Sequence, residues 1–161
     1  MAIIDSNQIF WTAFEPVQTN RFIVYLDGIP SYTIKKISLP TVESGEVVID
    51  HINIQRYVKG KTKWSTFNLE LYQPIVPSGA QAVMEWVRLS HESVTGRDGY
   101  SDFYKKDLTF NVIDPVGAIV SEWVFKGCWI TSSNFGEYDY ANEGMVNIQL
   151  TIRPDYAVLN Y

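Results

Sequence analysis

Hydrophobic and polar residues alternate most cleanly over Val146–Arg153. Val146, Ile148, Leu150 and Ile152 fall on one side, and Asn147, Gln149, Thr151 and Arg153 on the other. Successive side chains of a strand point to opposite faces, so this octet predicts a strand with one dry face and one wet face. Trp64–Tyr72 predicts another, with Phe67, Leu69 and Leu71 set against Thr66, Asn68 and Glu70. Asn20–Asp27 and Ser31–Leu39 flank Gly28-Ile29-Pro30 and predict a hairpin. Pro40 ends it, because proline has no N–H for a ladder. Glu46–Arg56 reads as an extended run. Asp107–Asp114 and Ala118–Lys126, joined by Pro115-Val116-Gly117, predict a second hairpin, and Trp129–Ser133 a strand beyond Gly127.

One segment keeps a helical period. Ala80, Val83, Met84, Val87 and His91 share a face, Trp86 and Leu89 widen it, and Ser78 is placed to accept an orphan N–H of the first turn. Gly96 and Gly99 mark its end and a loop to about Lys106. Residues 1–19 form an apolar arm without a steady period (Ile3, Ile4, Ile9, Phe10, Trp11, Phe14), docked either on a neighbouring subunit or on its own domain. Residues 154–161 are a short, tyrosine-rich tail. Strands predominate and no helix alternates with them. The expectation is a mainly β chain, an antiparallel β-sandwich or barrel with one α-helix, as a single domain over 1–161.

Composition narrows the function. The chain has 161 residues, 46% hydrophobic and 14% aromatic, enough for one core and too apolar for disorder. Its net charge of −5 argues against binding nucleic acid through phosphate contacts. Cys128 is the sole cysteine, so no internal disulfide is possible. The first residues lack the basic-then-apolar pattern of a signal peptide, and no apolar stretch reaches the roughly 18 residues of a membrane helix. Cytosolic folding without membrane insertion is expected.

The search for chemistry returns little. The two histidines, His51 and His91, lie apart, and one cysteine offers no zinc-ligand spacing. Gly60-Lys61-Thr62 matches the end of a phosphate-binding loop, but Gln55 stands where that motif needs glycine and no helix pattern follows. Ser90-His91-Glu92 are neighbours on one helix and do not face each other. No enzyme activity, metal or cofactor is expected. A basic run (Arg56, Lys59, Lys61, Lys63) and an acidic loop (Glu137, Asp139, Glu143) are either ordinary solvated loops or patches that pair between identical copies.

Several segments, in order, resemble the tail tube proteins of contractile-tailed, T4-like bacteriophages. They are Asn20–Leu26, Ser38-Leu39-Pro40, the strand Trp64–Tyr72 followed by the helix from Ser78, Phe125–Thr131, and Val146–Tyr156. The order of elements is also similar to that of type VI secretion tube proteins. The chain departs from the family at Ile130, where these proteins often have proline after the tryptophan. The resemblance implies hexameric rings stacked into a hollow tube, its inner wall a β-barrel closed from all subunits, with the helix outside against a contractile sheath protein. It implies a lumen lined by Thr66, Asn68, Glu70, Asn147, Gln149, Thr151 and Arg153, with Arg153 at the rim or paired with Glu70. Arg56, Lys59, Lys61 and Lys63 would meet Glu137, Asp139 and Glu143 where rings stack. Tape-measure protein and baseplate are further implied partners. DNA would pass through the lumen without specific binding, in a virion tail assembled in the host cytoplasm. Two variants keep the fold: a tube-initiating or tube-terminating paralogue, and the tube of a phage-like contractile injection system. A third reading is a monomeric β-sandwich that stacks carbohydrate on Trp11, Trp64, Trp123 or Trp129.

Overall fold

The computed structural model describes residues 15–161, so most of the apolar arm, Trp11 included, lies outside the described residues. The chain is mainly antiparallel β. Its strands are β1 (Phe22–Leu26), β2 (Ile34–Ile37), β3 (Val42–His51), β4 (Ile54–Trp64), β5 (Phe67–Tyr72), β6 (Lys106–Ile113), β7 (Ile119–Asn134), β8 (Asn147–Arg153) and β9 (Tyr156–Leu159). Helix α1 (Gly79–Ser90) and the single turn α2 (Ser101–Tyr104) separate β5 from β6. Seven strands form one sheet in the order β1-β6-β7-β8-β5-β2, with β9 also on β7, while β3 and β4 form a separate two-stranded ribbon.

The strongest sequence pattern becomes the centre of the sheet. Strand β8 lies between β5 and β7, with Leu69 opposite Leu150 and Ile148 opposite Leu71. Phe67, Leu69, Leu71, Ile148, Leu150 and Ile152 are all buried. They pack on Val24, Leu26, Leu108, Phe110 and Phe125 from the other half of the sheet, and the Phe67 and Phe125 rings lie 5.1 Å apart. Each such side chain contributes roughly 1.5–3 kcal/mol on leaving water. Helix α1 covers this core with Val83 and Trp86. Ser78 caps it as expected, accepting from the Gln81 N–H, and the Trp86 indole N–H donates to the Tyr104 carbonyl at 2.6 Å.

Strand β7 runs without a break through Gly127, where two strands were expected. Its first half pairs with β6 on one edge and β9 on the other, and its second half pairs with β8. The ladder shifts register between Lys106 and Leu108, so Lys126 and Gly127 together oppose Asp107. This is a β-bulge, with Gly127 at φ 65°. The extra residue changes which side chains face inward, so Phe125 and Cys128, three apart, are both buried. Burial pushes the Cys128 thiol up to about 12. Asp107 accepts from Lys126 Nζ at 2.8 Å and from the Gly127 N–H at 3.2 Å. Across the bulge Asp155 accepts from Lys105 Nζ at 2.9 and 3.0 Å, and its own N–H donates to the Lys126 carbonyl.

Four expectations need correction. Strands β1 and β2 do not form a hairpin. They are opposite borders of the sheet, β1 on β6 and β2 on β5, because pairing there places Val24 and Leu26 in the core. Residues 27–33 link them and reach at most about 28 Å, so the sheet curls but stays open within one chain. The basic run is no loop; it lies in β4. The strand expected over Trp64–Tyr72 breaks at Ser65-Thr66, where Ser65 Oγ accepts from the Thr41 N–H at 2.9 Å. The tail holds β9, whose Ala157 and Val158 pair with Phe125 and Val124.

Gly127→Ala is expected to destabilise the fold by about 2 kcal/mol or more, because a Cβ there meets the Asp155 carboxylate and the backbone is left-handed. Chemical denaturation measures it. The Lys126 ammonium holds the Asp107 carboxyl below its ordinary 3.8, against burial, with the Gly127 N–H assisting. Lys126 is raised above 10.5 by the same pair. A depressed acid stabilises above its unfolded value and a raised base below its own, so this contribution holds between about pH 4 and pH 10 and falls away at both limits. Asp107→Asn is expected to flatten the acid limb of the stability profile, as followed by thermal melts from pH 2 to pH 6.

Candidate functional site

The wet face of β2, β5 and β8 is one continuous polar surface. Asn68 lies opposite Thr151, Glu70 opposite Gln149 and Tyr72 opposite Asn147. Thr151 Oγ1 donates to Asn68 Oδ1 at 3.3 Å, and Ser38 Oγ accepts the Asn68 N–H at 2.8 Å. Lys36, Ser38, Asn68, Glu70, Gln149 and Thr151 line an open groove of about 310 Å3. Five of the seven expected lumen residues therefore share this surface: Asn68, Glu70, Asn147, Gln149 and Thr151. Thr66 sits in the break before β5. Arg153 is exposed at the far end of β8, opposite Trp129, away from Glu70. Glu70 pairs instead with Lys35 at 3.5 Å, and Lys35 Nζ also lies 5.7 Å from the Tyr72 ring centre.

Lys36, Ser38, Ser132 and Asn134 join this surface without a clear sequence signal. Bulges in β2, at Lys35, and in β7, at Thr131, break the alternation that would have exposed them. The surface has amides and hydroxyls to exchange hydrogen bonds with water, and a single carboxylate already near an ammonium. It offers no nucleophile beside a base. Among the described residues, no three His, Cys, Asp or Glu side chains lie close enough together to hold a metal ion. No helix among them is long and apolar enough to cross a membrane.

The sheet's borders bear on assembly. Strand β6 stops opposite Cys128, so Trp129–Asn134 of β7 carry β8 on one edge and no strand on the other, among the described residues. Strand β2 is likewise bare on its outer edge. Such edges template pairing with another chain.

The β3–β4 ribbon is the second unusual surface. Every residue in it except Gly60 and Trp64 is exposed. Lys59 stands opposite Glu46 and Lys63 opposite Glu43, the latter pair at 3.9 Å, whereas Arg56 faces Ile49 and Lys61 lies at a bulge beside Gly45. Of the expected stacking cations Lys63 alone makes an ion pair inside the ribbon, among the described residues, while Lys59 stands opposite Glu46 without one. Glu137, Asp139 and Glu143 are exposed on the loop before β8. Among the candidate stacking tryptophans, Trp123 packs on the core and Trp129 meets Tyr104 edge-on at 6.2 Å.

Known structures agree with this architecture. The chain is similar to the sheath/tube terminator of an extracellular contractile injection system, PVC, in its extended state (15% identity, TM-score 0.75, 93% of this chain and all of that one). It is similar to a chain of the PVC sheath–tube complex (16%, TM-score 0.68, 98% and 99%). It is also similar to the SPP1 tail tube (12%, TM-score 0.54, 90% and 79%). No family model and no curated protein matches in sequence. The chain has the tail-tube fold, shared by tube and tube-terminating proteins of contractile injection systems and by phage tail tubes.

Replacing residues 43–63 with Asn-Gly, between the paired Val42 and Trp64, is expected to change the monomer's unfolding free energy by less than about 1 kcal/mol, since an isolated two-stranded ribbon adds little. Urea denaturation of the shortened chain tests this, and loss of cooperative unfolding would refute it.

Proposed function

We propose that this protein is a structural subunit of a hollow tube: copies join into hexameric rings, and the rings stack inside a contractile sheath. The observation that carries the reading is one four-stranded surface, β2-β5-β8 with the second half of β7, wet on one face and bare at both borders. Pairing β2 of one copy with the bare edge of β7 in the next closes the strands into a barrel and removes both edges. Asn68, Glu70, Asn147, Gln149 and Thr151 then face the bore, with Arg153 and Thr66 at its rim. Amides and hydroxyls keep that wall hydrated and give a passing polymer, DNA or the tape-measure protein, nothing strong to hold. Lys36 and Arg153 are its cations without an ion-pair partner among the described residues. The same surface would serve a subunit that begins or ends a tube, at a baseplate or terminator, in a virion tail or an injection particle.

Electron microscopy of the purified full chain is expected to show rings or hollow tubes of uniform diameter. A monomer that stays monodisperse at every concentration, or one that binds glycan as a monomer, would sink the reading.

A further inference from the structure

The wet surface carries charge of one dominant sign. Its four strand segments, β2, β5, β8 and Trp129–Asn134 of β7, hold three cations, Lys35, Lys36 and Arg153, against one carboxylate, Glu70. The whole chain carries −5, so its excess of acid lies elsewhere. The register sorts the surface into rows. Lys36, Glu70, Gln149 and Asn134 stand side by side across the four strands, and Ser38, Asn68, Thr151 and Ser132 form the next row. Arg153 lies four residues along β8 from Gln149, roughly 13 Å. Glu70 is engaged by Lys35 at 3.5 Å. Lys36 and Arg153 have no ion-pair partner among the described residues. The β3–β4 ribbon leaves this surface at one end, where β2 stops and β5 begins, and the loop bearing Glu137, Asp139 and Glu143 joins β7 to β8 at the other.

We propose that the bore takes an acidic polypeptide as its cargo, held by Lys36 and Arg153 of every copy. This rests on the tube reading and names the class of polymer that the wall accepts. Closing the strands into a barrel turns the cations of all copies toward one space, where like charges repel and low-dielectric walls concentrate their field. A polyanion in that space relieves the repulsion. Each copy also sets Glu70 on the wall. Double-stranded DNA, with one charge per about 1.7 Å of its axis, meets that carboxylate in every ring. A polypeptide of mixed sequence can place an uncharged or basic residue there. The side chains around Lys36 are amides and hydroxyls, which donate and accept as a peptide bond does, whereas a phosphate diester only accepts. The Tyr72 ring holds Lys35 Nζ 5.7 Å from its centre, so it is not open to stack a base. Exposed ion pairs are individually weak, so the cargo is retained by many of them and still slides.

The test uses tubes assembled from the full chain and three fluorescent probes: poly-glutamate, poly-lysine of equal length, and short double-stranded DNA. Poly-glutamate is expected to co-sediment with the tubes about tenfold better than poly-lysine at low salt, and to be released as salt rises. Lys36→Glu with Arg153→Glu is expected to invert that preference. The milder pair Lys36→Gln with Arg153→Gln is expected to abolish retention of poly-glutamate while keeping tubes of wild-type diameter in micrographs. Arg88→Glu, at an exposed position of α1, is expected to leave retention unchanged, which separates the bore from the outer wall. A preference for poly-lysine, or full retention of poly-glutamate by the Gln variant, would overturn the proposal and leave the tube reading intact. DNA retained more tightly than poly-glutamate would also overturn it, in favour of a nucleic-acid cargo. Absence of rings and tubes from the wild-type chain would overturn the tube reading itself.

Discussion

The fold depends on one long strand carrying two different sets of neighbours. Strand β7 must pair with β6 and β9 in its first half and with β8 in its second, and the two halves need different side chains facing inward. A regular strand cannot do this, since its faces alternate strictly. The bulge at Lys126-Gly127 solves the problem by adding one residue, which lets Phe125 and Cys128 both enter the core. Two residues hold it in place, Asp107 from one edge through its carboxylate and Asp155 from the other through its backbone N–H to the Lys126 carbonyl. They act on a backbone that only glycine adopts without strain.

The division of labour between faces follows from that spine. The dry face of β5 and β8 packs on β1, β6, the first half of β7 and helix α1, and together they form the hydrophobic core. The opposite face is left to small polar groups. The dry side supplies the apolar core, and the wet side is held by polar contacts such as Thr151 with Asn68 and Lys35 with Glu70. The bare borders are the complementary feature. A sheet that is well packed yet unpaired at its edges is finished as a core and unfinished as a hydrogen-bonded structure.

The legible parts of the sequence were those governed by a simple period. The octet around Leu150, the cap at Ser78 and the hairpin around Gly117 all emerged as expected, because local geometry alone dictates them. The failures lie where that period is interrupted or where partners are distant. Lys36 and Ser132 were hidden by bulges. Strand β1 was assigned to β2 because they are neighbours in sequence, whereas burial of Val24 and Leu26 requires β6, some 80 residues away. The run from Arg56 to Lys63 looked like a loop because its alternation mixes lysine with valine and glycine, a pattern that fits a ribbon solvated on both faces. No single-sequence period distinguishes such a ribbon from a loop; its ladder to Glu43 and Glu46 does.

The placement of the ribbon and the acidic loop gives the molecule a head and a tail. Copies aligned side by side in one orientation inherit that polarity, so the two mouths of any assembly they build are chemically unlike. One mouth displays aliphatic fingers and the other displays acidic loops. In the proposed tube, the two mouths would therefore present different surfaces to an incoming copy or to a terminating factor.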